Sequence, residues 1–425
     1  KPFLEHIAQK ILDKGNTDRL TVVLPSKRSI VFLKHFLSKC ISKPIWLPKI
    51  YSIEDFITEL SGLQTIDNLS LQFRLYKIFD ANRPDYNDDN FEQFLKWSQT
   101  ILYDFNEMDR YLVDPKSLLT NLRDIKELEQ WSLNSAELTP FQEKYVQFFS
   151  FLYDWYKTFR ASLLKENLAY QGLAYRQAAE SIVNLKHNFD EVWFVGLNAL
   201  TTAENRIINH FVTNKKATLF WDADEYYVED DKHEAGLFLR QHFQQWGNTK
   251  LSSFFENNKT INIIGCAKNV GQALTAGNLL ANFPNEDLTD SQTALVLADE
   301  NLLFPMLNNL PVSIKSVNIT MGAPIRSTPL FSLFDLIFKT QIKKQQYGKN
   351  KFHSKDIQKL LRNPYLSRLI KSSKLMSINR YLNKKNIVFV STSSLKKVVN
   401  DDSQWNILTY IFSDWSDTKL AIHNI

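Results

Sequence analysis

Residues 192–195, Val-Trp-Phe-Val, make a short β-rich run in which every position is apolar. A strand with no polar face has to be covered on both sides, and a parallel sheet layered between helices does this. Asp190 and Glu191 precede the run, and Gly196-Leu197-Asn198 supplies a turn directly after it. Thr201 or Thr202 can then cap a helix that carries Ile207, Ile208 and Phe211 on one face. Strand, turn and capped helix together are one unit of an α/β fold.

The end of that strand is also where nucleotide-driven motors place their chemistry. In a P-loop motor it presents an aspartate that holds magnesium, usually followed by a glutamate that positions the attacking water. Here the corresponding, degenerate positions are Gly196 and Asn198, and the loop is neutral. The other half of such a site is a glycine-rich loop ending in Lys-Ser or Lys-Thr, whose amides cradle phosphates. The chain has only 11 glycines, and no two of them fall in a G-x-G-x-x-G or G-x-x-x-x-G-K-T pattern. With both halves missing, no catalytic residue, metal ligand or cofactor is expected.

A length of 425 residues suggests two to four domains, and 44% hydrophobic with 23% charged residues is an ordinary globular composition. Aromatic residues make up 13%, and their helical spacing assigns most of them to cores. No run reaches the roughly 18 apolar residues of a membrane span, and the N-terminus has no basic-then-apolar signal pattern. A cytoplasmic protein with no membrane partner is expected. Cys40 and Cys266 are too few and too isolated for a disulfide framework or a zinc site. The net charge of +5 is unevenly spread: Gln341 to Asn400 holds 15 Lys or Arg and one acid, Asp356, a net of +14 that leaves −9 for the rest. Such a stretch points to a polyanion, nucleic acid above all, or to a solvated helical surface.

Along the chain, Phe3 to Leu12 reads as a helix, Leu20 to Leu24 as a strand, and Pro25-Ser26-Lys27-Arg28 leads into a helix over Ile30 to Leu37. A second strand and turn follow at Ile45 to Ile53, with Ser52 capping the helix that begins Glu54-Asp55-Phe56. Continuous helical periodicity then runs to about Tyr175, with Phe91, Phe94, Leu95, Ile101, Leu102 and Phe105 on one face and a capping box at Thr139 to Gln142. Strand signals return at Val192 to Val195, Ala217 to Trp221, Ile261 to Ile264 and Ala294 to Leu297, with helices at Glu234 to Trp246 and Val270 to Asn282 between them. The reading is an α/β chain of five segments. Residues 1–55 and 181–256 form a first lobe split by a helical insertion at 56–180, 257–340 a second lobe, and 341–425 an incomplete basic helical insertion.

In order, the stretches VVLPSKRSIVFLKHFL, PKIYSIEDFI, ILYDFNEMDRYLVD, YQGLAYR, VWFVGLNALTTAE, EAGLF and NITMGAPIRSTPLFSLFDLIF span most of residues 3–340. Together they resemble the helicase-like N-terminal region of AddB-type subunits of bacterial helicase-nuclease recombination complexes. More narrowly, the chain is similar to Bacteroidetes-type proteins described as inactivated superfamily I helicases with a C-terminal PD-(D/E)XK nuclease. The resemblance implies two RecA-like, P-loop NTPase-like lobes with parallel sheets and large helical insertions. It also implies a role in DNA repair and recombination, single-stranded or end-resected DNA as a partner, and an ATPase-active helicase-nuclease partner subunit. The family's nuclease lies beyond the length present here, so this segment is not expected to cut DNA.

Ser26, Lys27 and Arg28 follow a strand and open a helix, a place where a backbone phosphate can be held, and the resemblance makes the region a DNA-contacting motif. Ser52 is similarly placed, with a plain helix cap as the competing reading. Thr320 to Pro329 joins the strand-like Val317 to Ile319 to an apolar helix, and Thr320 and Arg326 there are either contacts to a nucleic-acid strand, Arg326 on a phosphate, or parts of a structural turn. Asp222-Ala223-Asp224 after a strand has the D-x-D form by which nucleotide-sugar transferases bind manganese, although strand-end acids commonly cap turns. Asp104, Glu107 and Asp109 read as a helix end and its turn. The leading expectation is a non-catalytic scaffold that guides single-stranded DNA. The alternatives are a docking module with no DNA affinity that carries a nuclease and, remotely, a D-x-D nucleotide-sugar enzyme.

Overall fold

Leu20 to Leu24 (β1) is buried at all five positions, as a central strand of a parallel sheet must be. The computed structural model describes residues 2–15, 17–41, 44–83, 89–129, 140–185, 189–247, 251–255, 257–284, 288, 293–346, 351–384, 386–415 and 417–424. These form two units, 1–260 and 261–425. In the first unit β1 pairs in parallel with β2 (Lys49–Ser52) and with β5 (Glu191–Val195), and β5 pairs with β6 (Ala217–Phe220), giving the order β2-β1-β5-β6.

The period-two alternation of the strands sorts the helices into two layers. Val22, Leu24, Trp193 and Val195 face α1 (Phe3–Lys14) and α2 (Lys27–Cys40), sharing a core with Ile7, Ile11, Leu33 and Leu37. Val23, Val192 and Phe194 face the other way. They share a core with Phe56 of α3 (Ile53–Ser61), Tyr175 of α8 (Gln171–Ser181), Phe211 of α9 (Thr202–Thr213) and Phe243 of α11 (Leu237–Trp246). The short α10 (Glu225–Glu229) lies between β6 and α11 in the chain. Thr201 supplies the cap of α9: its hydroxyl accepts from Glu204 N, and Glu204 Oε2 accepts from Thr201 N at 2.7 Å, with both residues buried.

Between β2 and β5 the chain leaves the sheet and builds a helical subdomain of α4 (Asn68–Ala81), α5 (Phe91–Arg110), α6 (Pro115–Glu129) and α7 (Pro140–Lys165). Its core is aromatic, with Phe79 packed edge-on to Trp97 and Trp155 at 5.3 Å each. A two-residue parallel pairing that the periodicity does not reveal, β3 (Gln64–Thr65) with β4 (Leu168–Ala169), closes the base of the excursion. The expected capping box at Thr139 lies outside the described residues.

Helix α8 belongs to both cores, with Leu173 and Ala174 in the aromatic one and Tyr175, Ala178 and Ala179 against the sheet. A buried charge network fixes it there. Asp109, in the last turn of α5, accepts from Arg176 Nε at 2.5 Å, Tyr156 Oη at 2.6 Å and Tyr170 Oη at 2.5 Å. Arg176 Nη2 also donates to the carbonyls of Met108 and Val113. Alongside it, Gly172 packs so closely on α5 that an added Cβ would lie 2.2 Å from the Asn106 carbonyl oxygen. The Tyr-Gln-Gly-Leu-Ala-Tyr-Arg stretch at 170–176 is therefore a staple between subdomain and sheet.

The second unit differs from the two-sheet expectation. Among its described residues no strand forms at 261–264, 294–297 or 317–319; its strands are β7 (Phe352–His353) and β8 (Phe389–Val390), paired antiparallel. A strand is defined by the neighbour it bonds to, and among the described residues these apolar runs have none. Ile263 is 95% and Val296 86% exposed. Only a small cluster forms there, of Ala273 and Leu280 in α12 (Lys268–Ala281) with Met306 in α13 (Leu303–Asn308).

The main core of this unit lies under α14 (Pro329–Gln346), α15 (Ser354–Leu361), α16 (Pro364–Leu369), α17 (Ser372–Lys384), α18 (Thr392–Val399) and α19 (Asp402–Phe412). It is centred on Phe352, Leu360, Leu395 and Leu408, and α20 (Thr418–Asn424) follows. No helix among the described residues is long and apolar enough to cross a membrane.

Candidate nucleic-acid interface

In an open parallel sheet, ligands bind at the carboxyl ends of the strands where the winding reverses direction. The order β2-β1-β5-β6 places that point between β1 and β5, and several of the sequence-selected residues meet at this edge. Ser26 follows β1 and caps α2, accepting from Ser29 N at 3.3 Å. Ser52 ends β2 in register with Leu24 and caps α3, accepting from Asp55 N and donating to Asp55 Oδ2 at 2.7 Å. Lys27 Nζ reaches Asp55 Oδ1 at 3.2 Å, so Asp55 ties the two caps together. Arg28 is exposed on the first turn of α2. The edge thus offers a helix N-terminus and two cations, Lys27 and Arg28.

The β5 end completes the edge. Gly196 has φ +69° and donates to the Phe220 carbonyl at 2.8 Å, and Phe3 of α1 lies over it, 3.2 Å from where a Cβ would stand. The Asn198 carbonyl accepts from His242 Nε2 at 2.6 Å, which requires that ring nitrogen to carry the proton. His242 is buried and stacks on Trp221 at 4.9 Å and Trp246 at 5.3 Å, while its buried Nδ1 has no hydrogen-bond partner among the described residues. Burial pushes the His242 pKa down, against the opposing pull of the Asn198 carbonyl. Sequence reasoning missed His242 because its significance depends on a loop 44 residues away.

Thr320 and Arg326 lie in the second unit. Thr320 is in neither helix nor strand, and Arg326 sits exposed in a 3-10 turn, Ile325–Ser327, before α14. The D-x-D acids are divided in use. Asp224 caps α10 and accepts from Ser252 Oγ and from the amides of Phe254 and Phe255. Desolvation opposes these bonds, yet together they hold its pKa down. Burial instead raises the Asp222 pKa. Among the described residues no group of three or more His, Cys, Asp or Glu side chains stands ready for a metal ion.

The basic stretch keeps its charge exposed. Of its 13 described Lys and Arg side chains, four face carboxylates: Lys343 with Asp356, Lys344 with Asp414, and Lys371 and Lys374 with Asp401. The other nine, on β7 and α15 to α18 or the turns beside them, are solvent-exposed and have no carboxylate partner among the described residues. A surface built only to be solvated would interleave both signs of charge. No protein-family model matches the chain, and no curated protein sequence matches it.

Proposed function

We propose that the chain is a non-catalytic, helicase-like scaffold of a DNA-end-processing system, which guides single-stranded DNA and docks an ATPase-active partner. On this reading the first unit is a RecA-like lobe whose ATP chemistry has been lost. Gly196 and Asn198 stand where a motor would carry its magnesium acids, and Phe3 occupies space over the strand end. The observation that carries the DNA half is the set of nine exposed cations in the basic stretch that have no carboxylate partner among the described residues, supported by Lys27 and Arg28 at the sheet edge. Titration of a labelled single-stranded oligonucleotide by fluorescence anisotropy tests it. Log K is expected to fall linearly with log salt at about −0.7 per phosphate contact. No binding at low salt would overturn the DNA half, and DNA-stimulated ATP turnover by the purified chain would overturn the non-catalytic half.

A docking module without DNA affinity is the second reading, favoured by a cavity of about 640 Å³ among α5, α6 and α7, lined by Trp97, Phe105, Leu119 and Phe148. Its signature is partner binding that survives Lys27→Gln with Arg28→Gln, in a chain that ignores oligonucleotides.

A further inference from the structure

We propose that α15 and α17 together form the phosphate-binding track for the single strand; this rests on the nucleic-acid reading above and gives it a place in the second unit. Lys355, Lys359 and Arg362 follow one another at spacings of four and three, which puts them on one stripe of α15 and its C-terminal turn. The opposite side of that helix, Ile357, Leu360 and Leu361, is in the core, so the stripe faces solvent. Arg380 and Lys384 are spaced by four along α17 and are likewise exposed, while Ile378 and Leu382 are buried.

A single hydrogen bond shows that the two stripes adjoin. Gln358 Nε2 donates to Asn383 Oδ1 at 2.9 Å. Gln358 lies within the α15 stripe, three residues from Lys355 and four from Arg362, and Asn383 lies within the α17 stripe, three from Arg380 and next to Lys384. The bond therefore stitches five cations into one patch. None of the five has a carboxylate partner among the described residues. The single acid of the stretch, Asp356, is buried and turned to Lys343, whose Nζ lies 2.9 and 3.0 Å from its two oxygens.

The shape of the patch suits a strand backbone. The seven steps from Lys355 to Arg362 carry the α15 stripe over roughly 10 Å, a length along which an extended strand presents two to three successive phosphates. Three residues beyond Arg362, Tyr365 is 43% exposed and makes no ring contact among the described residues, so its face is open for a base to stack. The geometry points to single-stranded nucleic acid, with phosphates along α15 and α17 and a base on Tyr365.

The test uses the full chain with labelled oligo-dT, a duplex of equal length and poly-glutamate as probes. Lys355→Gln, Lys359→Gln and Arg362→Gln combined should lower the magnitude of the salt slope for oligo-dT by about 2, at roughly 0.7 per lost contact. Tyr365→Ala should weaken oligo-dT binding roughly fivefold or more and leave duplex binding alone. All four positions are exposed, and unchanged circular dichroism and Tm establish that the variants fold. If wild type binds oligo-dT and the triple variant binds it with the same slope, the track is wrong while the guiding function stands. If wild type binds nothing, both fall. If poly-glutamate competes as well as oligo-dT, the patch is a docking surface for an acidic protein and the proposal is overturned.

Discussion

A carboxylate with no exposed surface is tolerated only when its charge is met from several directions, and Asp109 is met by one guanidinium and two phenols. Burial, and then the negative charge of Asp109, raises the pKa of Tyr156 and Tyr170, which keeps both as donors. Replacing Arg176 by Met leaves that charge uncompensated and should cost about 3–5 kcal/mol in urea denaturation. A cost below about 1 kcal/mol would mean that the network is not a unit. His242 gives a pH prediction of definite sign. Its folded pKa is depressed below the unfolded value of roughly 6.5, so the unfolded state binds the proton first. Its stabilising contribution is present above that pH and lost as pH falls through the folded pKa. Urea midpoints should therefore drop between neutral and mildly acidic pH, and His242→Gln should flatten that drop. An equal drop in the variant would assign it to other groups.

At the scale of elements, two helix caps made by a hydroxyl side chain differ in environment. Thr201 and Glu204 cap α9 from buried positions, whereas Ser26 caps α2 in the open. Thr201→Ala exposes no solvent to take over the bond and should cost about 1–2 kcal/mol. Ser26→Ala leaves the Ser29 amide where water can reach it and should cost about 0.5–1 kcal/mol. Thermal unfolding of both variants checks the order, and equal losses would show that burial does not govern the cap. Ser26 and Ser52 thus have full structural employment as caps, and any phosphate contact by them adds to that role. The four-stranded sheet shows the same dependence on surroundings, since β1 pairs with β5 across the whole helical excursion and the staple at Arg176 holds that excursion down.

For the whole molecule, residues 1–260 contain the sheet, both of its helix layers and the aromatic subdomain, each with its own buried cluster. Expressed alone, this unit should show a cooperative urea transition and a near-ultraviolet dichroism signal from its packed tryptophans. A broad, non-cooperative transition would show that the unit depends on residues beyond Thr260. Charge divides the molecule in the same direction, with the +14 stretch lying entirely within the second unit.

The parallel character of the first sheet was legible in the residues. Uninterrupted apolar strands such as Val192 to Val195, flanked by turn residues and capped helices, have few ways to satisfy both burial and hydrogen bonding. The caps at Ser52 and Thr201, the helical excursion and the basic stretch were legible for the same reason, because each is a local pattern. Strand pairing is not local. Ile261 to Ile264 and Ala294 to Leu297 carry the same apolar signal as β5 and form no strand among the described residues, since a strand exists only where a neighbour accepts its hydrogen bonds. Only the tertiary structure joined Asp109 to Arg176 across 67 residues, set His242 against Asn198, and brought α15 beside α17 through Gln358 and Asn383. Spacing along a chain determines which side chains share a helix face or a strand face. Which faces then meet is decided by how the cores close, and in this protein the candidate interface depends on those meetings.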